Sequence, residues 1–323
     1  MMKSFCPLMS VVLALVFSGC SSDDGGPNVN NDPKDNAAIE QIPVFPQSHP
    51  LNADISQEPA DEFSDLILDN LGRDTGLFAD FGSGTWQGSP IGIPYIAVGA
   101  GQERVPVVFR ANDYDNDYGA ESDQGPFPIP LDAPIEGNGK GDSHVLAVDV
   151  DNRMLYELYN ASRTGDGWAA SSAAVFDLQK VEFRQDGWTS ADAAGLPIFP
   201  CLVRYEEILQ GEIDHAIRFT IERSKIYEGY VHPARHQVSG DRSNELLPFG
   251  ARLRLRDDFD ISSFSETNQI ILKALKKHGL ILADVGSMMY ITGAPDERWD
   301  NDDLRELRQV SVNDFTVVEL GEI

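Results

Sequence analysis

Short runs of apolar residues dominate the chain, and turn-forming residues separate them. Runs of about four to eight residues with this composition predict β-strands. Two of them, His144–Val150 and Arg153–Tyr159, flank the polar pair Asp151 and Asn152, which predicts an antiparallel hairpin. The other predicted strands are Ile93–Val98, Arg104–Arg110, Ala173–Leu178, Ile213–Ile221, Ala251–Arg256, Leu280–Asp284, Met288–Thr292 and Phe315–Leu320.

Three segments show the helical spacing of apolar residues instead. The clearest is Glu266–His278, which Ser263 and Glu266 would open as a capping box and which Gly279 would end. Asp303–Val310 is a shorter candidate. The third begins near Pro59, ends at Gly72, and presents on one face Phe63, Leu66, Ile67 and Leu71.

These elements do not alternate regularly between strand and helix, which disfavours a doubly wound parallel sheet. We therefore expect a mainly β fold, with α+β as the alternative. The expected architecture is a single antiparallel β-sandwich-like domain over residues 42–323, with a few peripheral helices. Long loops, above all Ala111–Lys140, would carry the function.

The N-terminal residues follow a different pattern. Lys3 precedes the apolar run Leu8–Phe17, which is too short to span a bilayer. Small residues then precede Cys20, and this order resembles the lipobox of bacterial lipoproteins. The resemblance implies a signal peptide over residues 1–19 and a lipidated Cys20 that anchors the protein in a membrane of the cell envelope, the outer membrane in a Gram-negative source. The alternative is an ordinary secretory signal peptide with an incidental cysteine.

Residues 20–41 join this lipidated cysteine to the folded domain. They are rich in Gly, Pro, Asn and Asp, and so predict a disordered tether. After cleavage Cys201 would be the only thiol besides Cys20, and its apolar neighbours predict a buried, unreactive side chain.

Charge and missing motifs exclude several partners. The formal net charge is −27, which opposes binding to nucleic acid, since its phosphate backbone requires a basic surface. Walker A and GxGxxG sequences are absent, so we expect no nucleotide.

Several phrases resemble a family of uncharacterised exported bacterial proteins, from about residue 45 to the C-terminus. Some members of that family are fused to carbohydrate-binding or fibronectin-like modules. The resemblance therefore implies a secreted protein with a role on extracellular polysaccharide. The phrases are Asp80–Thr85, Gly92–Tyr95, Glu121–Pro126, Gly141–His144, Gly187–Pro197, Asp214–Phe219, His232–His236, Asp284–Ser287 and Arg298–Asp300.

Eight polar residues are the catalytic candidates. A hydrolase would use two carboxylates that flank the scissile bond, whereas a lyase would need a His or Tyr base and an Arg that neutralises a uronate. Arg218 lies among apolar neighbours and needs either a carboxylate partner or a substrate anion. The candidate carboxylates are those of Asp142, Asp192 and Asp284. The eight candidates are Asp142, His144, Arg235, His236, Glu121, Asp123, Arg218 and Asp284.

Two alternatives to an enzyme stay open. The protein would then be a non-catalytic surface module that binds a glycan or another partner, or a structural envelope lipoprotein. Loop tryptophans can stack on sugars, although they more often anchor loops through their large apolar area. The four tryptophans are Trp86, Trp168, Trp188 and Trp299.

The sequence offers two candidate metal sites, and neither matches a standard ligand pattern. The acidic loop Asp113–Asp123 suits Ca²⁺, but an EF-hand needs Gly and Glu where Tyr118 and Gln124 stand. His232 and His236 could join other histidines in a metal site, but their spacing matches no known ligand pattern, so separate packing is favoured. No other cofactor is predicted.

Overall fold

The computed structural model describes residues 38–39, 43–111 and 117–323. The predicted signal peptide, Cys20 and most of the tether lie outside those residues, as does the Asp113–Asn116 part of the predicted calcium loop. Within the described part of the chain, no helix is long and apolar enough to cross a membrane.

The prediction of a mainly β fold with few helices is confirmed, because strand residues outnumber helical ones. The helices are α1 (Ser64–Leu71), α2 (Tyr205–Gln210), α3 (Glu266–Lys277) and α4 (Asn301–Arg305). In chain order the strands are β1 (Phe78–Asp80), β2 (Thr85–Trp86), β3 (Ser89–Pro90), β4 (Tyr95–Val98), β5 (Val107–Phe109), β6 (Val145–Asp149), β7 (Met154–Tyr159), β8 (Ser162–Arg163), β9 (Trp168–Ala170), β10 (Ser172–Asp177), β11 (Ile217–Ile221), β12 (Ile226–Tyr230), β13 (Leu247–Phe249), β14 (Arg252–Leu255), β15 (Leu280–Val285), β16 (Tyr290–Thr292) and β17 (Phe315–Val317).

Three larger sheets organise these strands. A six-stranded sheet has the order β1-β16-β11-β15-β14-β17, a four-stranded sheet the order β10-β7-β6-β4, and a three-stranded sheet the order β5-β9-β8. The predicted β6–β7 hairpin is present and antiparallel. Each larger sheet also contains a parallel pair, such as β4–β6, β5–β9 or β11–β15. The sheets are therefore mixed, because strands distant in sequence meet through long connections.

The four-stranded sheet separates two apolar cores. Successive side chains of β6 point to opposite faces, as in any strand. Leu146 and Val148 enter the core shared with the six-stranded sheet, whereas Val145 and Ala147 enter the core that contains Trp168. Burial on both faces explains why β6 is a continuous apolar run.

Two details of the predicted helices are wrong. Ser265, rather than Ser263, caps α3, because its side chain accepts a hydrogen bond from the Asn268 amide at 3.1 Å. Leu66 of α1 is 46% exposed, and Leu68 takes the buried position instead. The helical spacing identified both helices. It did not determine which serine caps α3 or which leucine of α1 faces the core.

Candidate functional site

A cavity of about 770 Å³ opens beside the β1 edge of the six-stranded sheet. Strands β1 and β16, the β2–β3 hairpin, α4 and the loop that precedes β6 form its walls. Three carboxylates line it, those of Asp80, Glu136 and Asp142. The cavity thus combines an enclosed volume with several ionisable groups, which is the usual character of a binding or catalytic site.

Strand register places Asp80 in front of a buried arginine. Asp80 of β1 is aligned with Thr292 of β16, so their side chains share one face of the sheet. The antiparallel pairing of β16 with β11 brings Thr292 beside Arg218, which donates a hydrogen bond to its Oγ1 at 2.9 Å. A row of polar side chains therefore crosses three strands from the cavity into the protein.

Arg218 is 3% exposed and is paired with a carboxylate, as the sequence predicted. Its guanidinium donates to both carboxylate oxygens of Asp192, at 3.0 and 2.8 Å. A carboxylate oxygen of Asp284 lies 3.6 Å away. Burial and the neighbouring Asp192 raise the pKa of Asp284 well above its usual range, although Arg218 opposes the shift. Asp192 is thus the bidentate partner of Arg218, and Asp284 holds its proton to higher pH than an ordinary aspartate.

His144 fixes the position and charge of Glu136. Its Nδ1 lies 2.6 Å from Glu136 Oε2, and its Nε2 lies 3.0 Å from the Ala191 carbonyl oxygen. Both neighbours are acceptors, so the doubly protonated ring satisfies both. Burial lowers the pKa of His144, but the charge of Glu136 and their hydrogen bond outweigh it and raise the pKa to about 9. The pair is an imidazolium bound to a carboxylate.

The pKa values of Glu136 and Asp80 are shifted in opposite directions. Burial raises the pKa of Glu136, but the charge of His144 and hydrogen bonds from it prevail, so that the pKa falls. Asp80 is open to solvent at the cavity, yet the surrounding walls displace much of its water. This desolvation and the negative charge of Glu136 raise the pKa of Asp80. The pKa of one carboxyl group is thus raised and that of its neighbour is lowered, and such a separation is typical of acid–base pairs.

Four of the predicted site residues lie around this centre. His144 and Arg218 contact Glu136 and Asp192 as described above. Asp142 lines the cavity, and its negative charge raises the pKa of both His144 and Asp284. The sequence therefore identified residues that the fold brings together, although Asp142 and His144, Arg218, and Asp284 come from three separate segments.

The other four predicted residues form a second group, and like His144, Arg218 and Asp284 they lie outside the cavity lining. His236 Nε2 is 3.7 Å from a Glu121 carboxylate oxygen. Asp123 pairs with Arg184 at 2.6 Å, and Arg235 pairs with Asp186 at 3.0 Å. This second group approaches the first at Tyr118, whose pKa is raised by burial, by the Glu121 charge and by Asp284.

Asp80 and Glu136 were missed as site residues by sequence reasoning. Asp80 belongs to one of the phrases that resemble exported proteins, and Glu136 lies in the loop Ala111–Lys140 that was expected to carry function. Neither stands in a motif with recognisable spacing. Their roles depend on burial and on neighbours that only the folded chain supplies.

Aromatic side chains accompany the carboxylates. Trp86 of β2 lines the cavity and is 71% exposed, whereas Trp168 and Trp299 are buried in the cores. Phe78 and Tyr290 also line the cavity, and their rings stack with centroids 4.2 Å apart. The cavity therefore offers flat apolar surfaces beside its ionisable groups.

Cys201 is the free cysteine of the described residues, and no candidate metal ligands cluster there. Cys201 is 1% exposed and burial raises the pKa of its thiol to about 12, so the predicted burial of this side chain is confirmed. Among the described residues, no group of three or more His, Cys, Asp or Glu side chains is arranged to hold a metal ion. The calcium prediction for Asp113–Asp123 stays a prediction, since part of that loop lies outside them.

No family model, curated protein or solved structure matches this chain. The resemblances to a lipobox and to exported bacterial proteins therefore stay predictions.

Proposed function

We propose that the protein is a glycoside hydrolase that acts on an extracellular polysaccharide in the cavity beside β1. The observation that carries this proposal is the pair Asp80 and Glu136, two neighbouring carboxyl groups on the cavity wall whose pKa values move apart. Glycoside hydrolysis commonly uses one carboxylic acid and one carboxylate around the scissile bond.

Asp80 is the general acid of this mechanism. Its raised pKa keeps a proton available, and that proton passes to the glycosidic oxygen as the bond to the anomeric carbon breaks. Glu136 stays ionised beside the imidazolium of His144, and its negative charge stabilises the positive charge that develops at the anomeric carbon. Water then adds to that carbon and releases a proton to a carboxylate.

The aromatic side chains supply substrate binding. Pyranose rings have an apolar face, and exposed aromatic rings bury it while the hydroxyl groups stay hydrated. Trp86 and the stacked rings of Phe78 and Tyr290 offer such surfaces within the cavity lining. A sugar chain held between them would pass over Asp80 and Glu136.

The proposed location at the cell envelope rests on the N-terminal sequence. A lipidated Cys20 and a polar tether would keep the domain at the cell envelope, where polysaccharide is accessible. Mass spectrometry of the mature N-terminus tests this part separately: an intact N-terminus or an unmodified Cys20 would contradict it.

A panel of polysaccharides incubated with the purified full-length chain tests the activity. We expect new reducing ends from at least one substrate, and a loss of about a hundredfold or more in Asp80→Asn. The matched control is Asp74→Asn, an exposed carboxylate away from the cavity, which should keep full activity. No turnover of any polysaccharide, or equal turnover by Asp80→Asn, would overturn the proposal.

A non-catalytic glycan-binding module is the second candidate, and the exposure of Trp86 favours it. The same panel separates the two functions. Binding that Trp86→Ala weakens, without release of any product, would support the binding module. Products with an unsaturated sugar at the new end would instead identify a lyase.

A further inference from the structure

Three basic side chains line a cavity in a chain that carries 52 acidic and 25 basic residues. They are Lys140, Arg305 and Arg308. Arg305 pairs with Asp302 of the same helix. For Lys140 and Arg308, the structure shows no ion pair within the residues that it describes, although a chain with this excess of carboxylates could readily have supplied a partner.

Arg308 is held in place without a carboxylate. The centre of its guanidinium group lies 4.6 Å from the centroid of the Phe78 ring, which also stacks on Tyr290. This cation–π contact restricts the side chain and leaves its N–H donors available. A guanidinium oriented in advance binds a planar or tetrahedral anion with a smaller loss of conformational entropy.

The negative charges inside the cavity are partly compensated. Glu136 forms an ion pair with the imidazolium of His144, and the raised pKa of Asp80 means that its charge is removed at a higher pH than that of an ordinary aspartate. Asp142 lines the cavity together with the cations Lys140 and Arg308, and none of the three has an ion pair within the part of the chain that the structure describes. Carboxylates elsewhere on the surface act weakly here, because salt screens charges beyond about 8 Å at physiological ionic strength.

We infer that the substrate is an anionic glycan, whose carboxylate or sulfate groups bind Arg308 and Lys140. The inference rests on the proposed function, since it takes the occupant of the cavity to be a sugar chain. Sugar rings would lie against the aromatic surfaces, and their anionic substituents would accept charge-assisted hydrogen bonds from the two cations.

Calorimetric titration with three oligosaccharides of one backbone tests the inference. The first carries uronate groups, the second is its carboxyl-reduced neutral form, and the third is that neutral form after sulfation. We expect at least one charged ligand to bind about tenfold more tightly than the neutral one. A preference for the first alone identifies carboxylate, and for the third alone sulfate.

Substitutions test whether Arg308 and Lys140 cause the preference for charged ligands. Arg308→Gln and Lys140→Gln should each reduce the preference for the charged ligand several-fold and leave the affinity for the neutral one unchanged. Both side chains are exposed, so the variants should fold. The matched control is Arg256→Gln, an exposed arginine outside the cavity lining, which should keep the preference.

Equal affinity for the neutral and charged ligands would overturn the inference, as would a preference that survives both substitutions. The binding measurement does not depend on turnover. Charged ligands that bind through Arg308 but are not cleaved would overturn the proposed hydrolase and leave the inference standing. Cleavage of neutral glycans alone would do the reverse.

Discussion

Two clusters in this protein contain the same three residue types and differ in access to solvent. At the cavity, Glu136 binds His144 and lies near Arg218. At the start of α2, Glu207 accepts hydrogen bonds from the Arg204 side chain and from its amide at 3.0 Å. His215 Nε2 lies 2.8 Å from the same carboxylate.

The carboxylates of the two clusters differ in how accessible they are to a ligand. Glu207 is 5% exposed and its oxygens already have three partners, so it holds the helix start and has no access to a ligand. The Glu136 side chain is 24% exposed, lines the cavity and has Asp80 as a neighbour with the opposite pKa shift. Access and a second carboxyl group, rather than residue type, distinguish a candidate site from a structural ion pair.

Removal of the negative charge of Glu207, at the start of α2, should have the largest effect on stability. Glu207→Gln removes the carboxylate that the buried Arg204 and His215 side chains contact, which costs about 3–5 kcal/mol of the free energy of unfolding. Urea denaturation measures this loss. Turnover should be unchanged at a temperature where the variant is folded, and a specific loss of turnover would mean that the clusters do not differ as described.

The pH dependence of stability should distinguish His144. Its pKa rises from 6.5 to about 9 on folding, so its stabilising contribution is complete below about pH 6.5 and is lost as the pH rises through about 9. The shift corresponds to about 3 kcal/mol. We expect urea midpoints of the wild type to fall over this window more steeply than those of His144→Gln. Parallel curves would contradict the assigned ion pair.

Glu136→Gln should lower turnover by about a hundredfold, because the charge that stabilises the transition state is lost. The substitution also weakens the contact with His144, so rates are compared below the unfolding temperature. Glu207→Gln is the matched control, since it removes the same carboxylate from the cluster at the start of α2. Equal rate losses in the two variants would show that the effect is structural.

Trp86→Ala should have the smallest effect. A stacking contact is worth about 1 kcal/mol, so affinity for an oligosaccharide should fall about fivefold. Stability should stay within about 0.5 kcal/mol, because the side chain is 71% exposed. Leu209→Ala, which alters another exposed apolar residue, should change neither quantity. Unchanged affinity in Trp86→Ala would remove this side chain from the proposed binding surface.

The parts of the fold that sequence reasoning found are those specified locally. The β6–β7 hairpin follows from alternation across a short turn, and α3 follows from helical spacing between a cap and a glycine. Strands β1, β2 and β3 have only two or three residues, too few for a period to appear. β1 forms because it pairs with β16, far away in sequence.

In the candidate site, too, local sequence predicts some residues, whereas others depend on tertiary structure. An arginine between apolar neighbours predicted a charged partner for Arg218, because a buried guanidinium needs an anion, but only the fold selects Asp192 among the three candidates. Nothing local distinguishes Asp80 or Glu136 from the many other carboxylates of an acidic chain. Their opposite pKa shifts arise from cavity walls and from the His144 ring, which only tertiary structure assembles.

Leaving-group dependence tests the central claim, that Asp80 donates the proton, most directly. An aryl glycoside with a good leaving group needs no protonation, whereas a natural glycan does. Rates of the wild type and Asp80→Asn are therefore compared on both substrates. We expect a loss of about a hundredfold or more on the glycan and little loss on the aryl glycoside. Equal losses on the two substrates would contradict the assignment of Asp80 as the general acid.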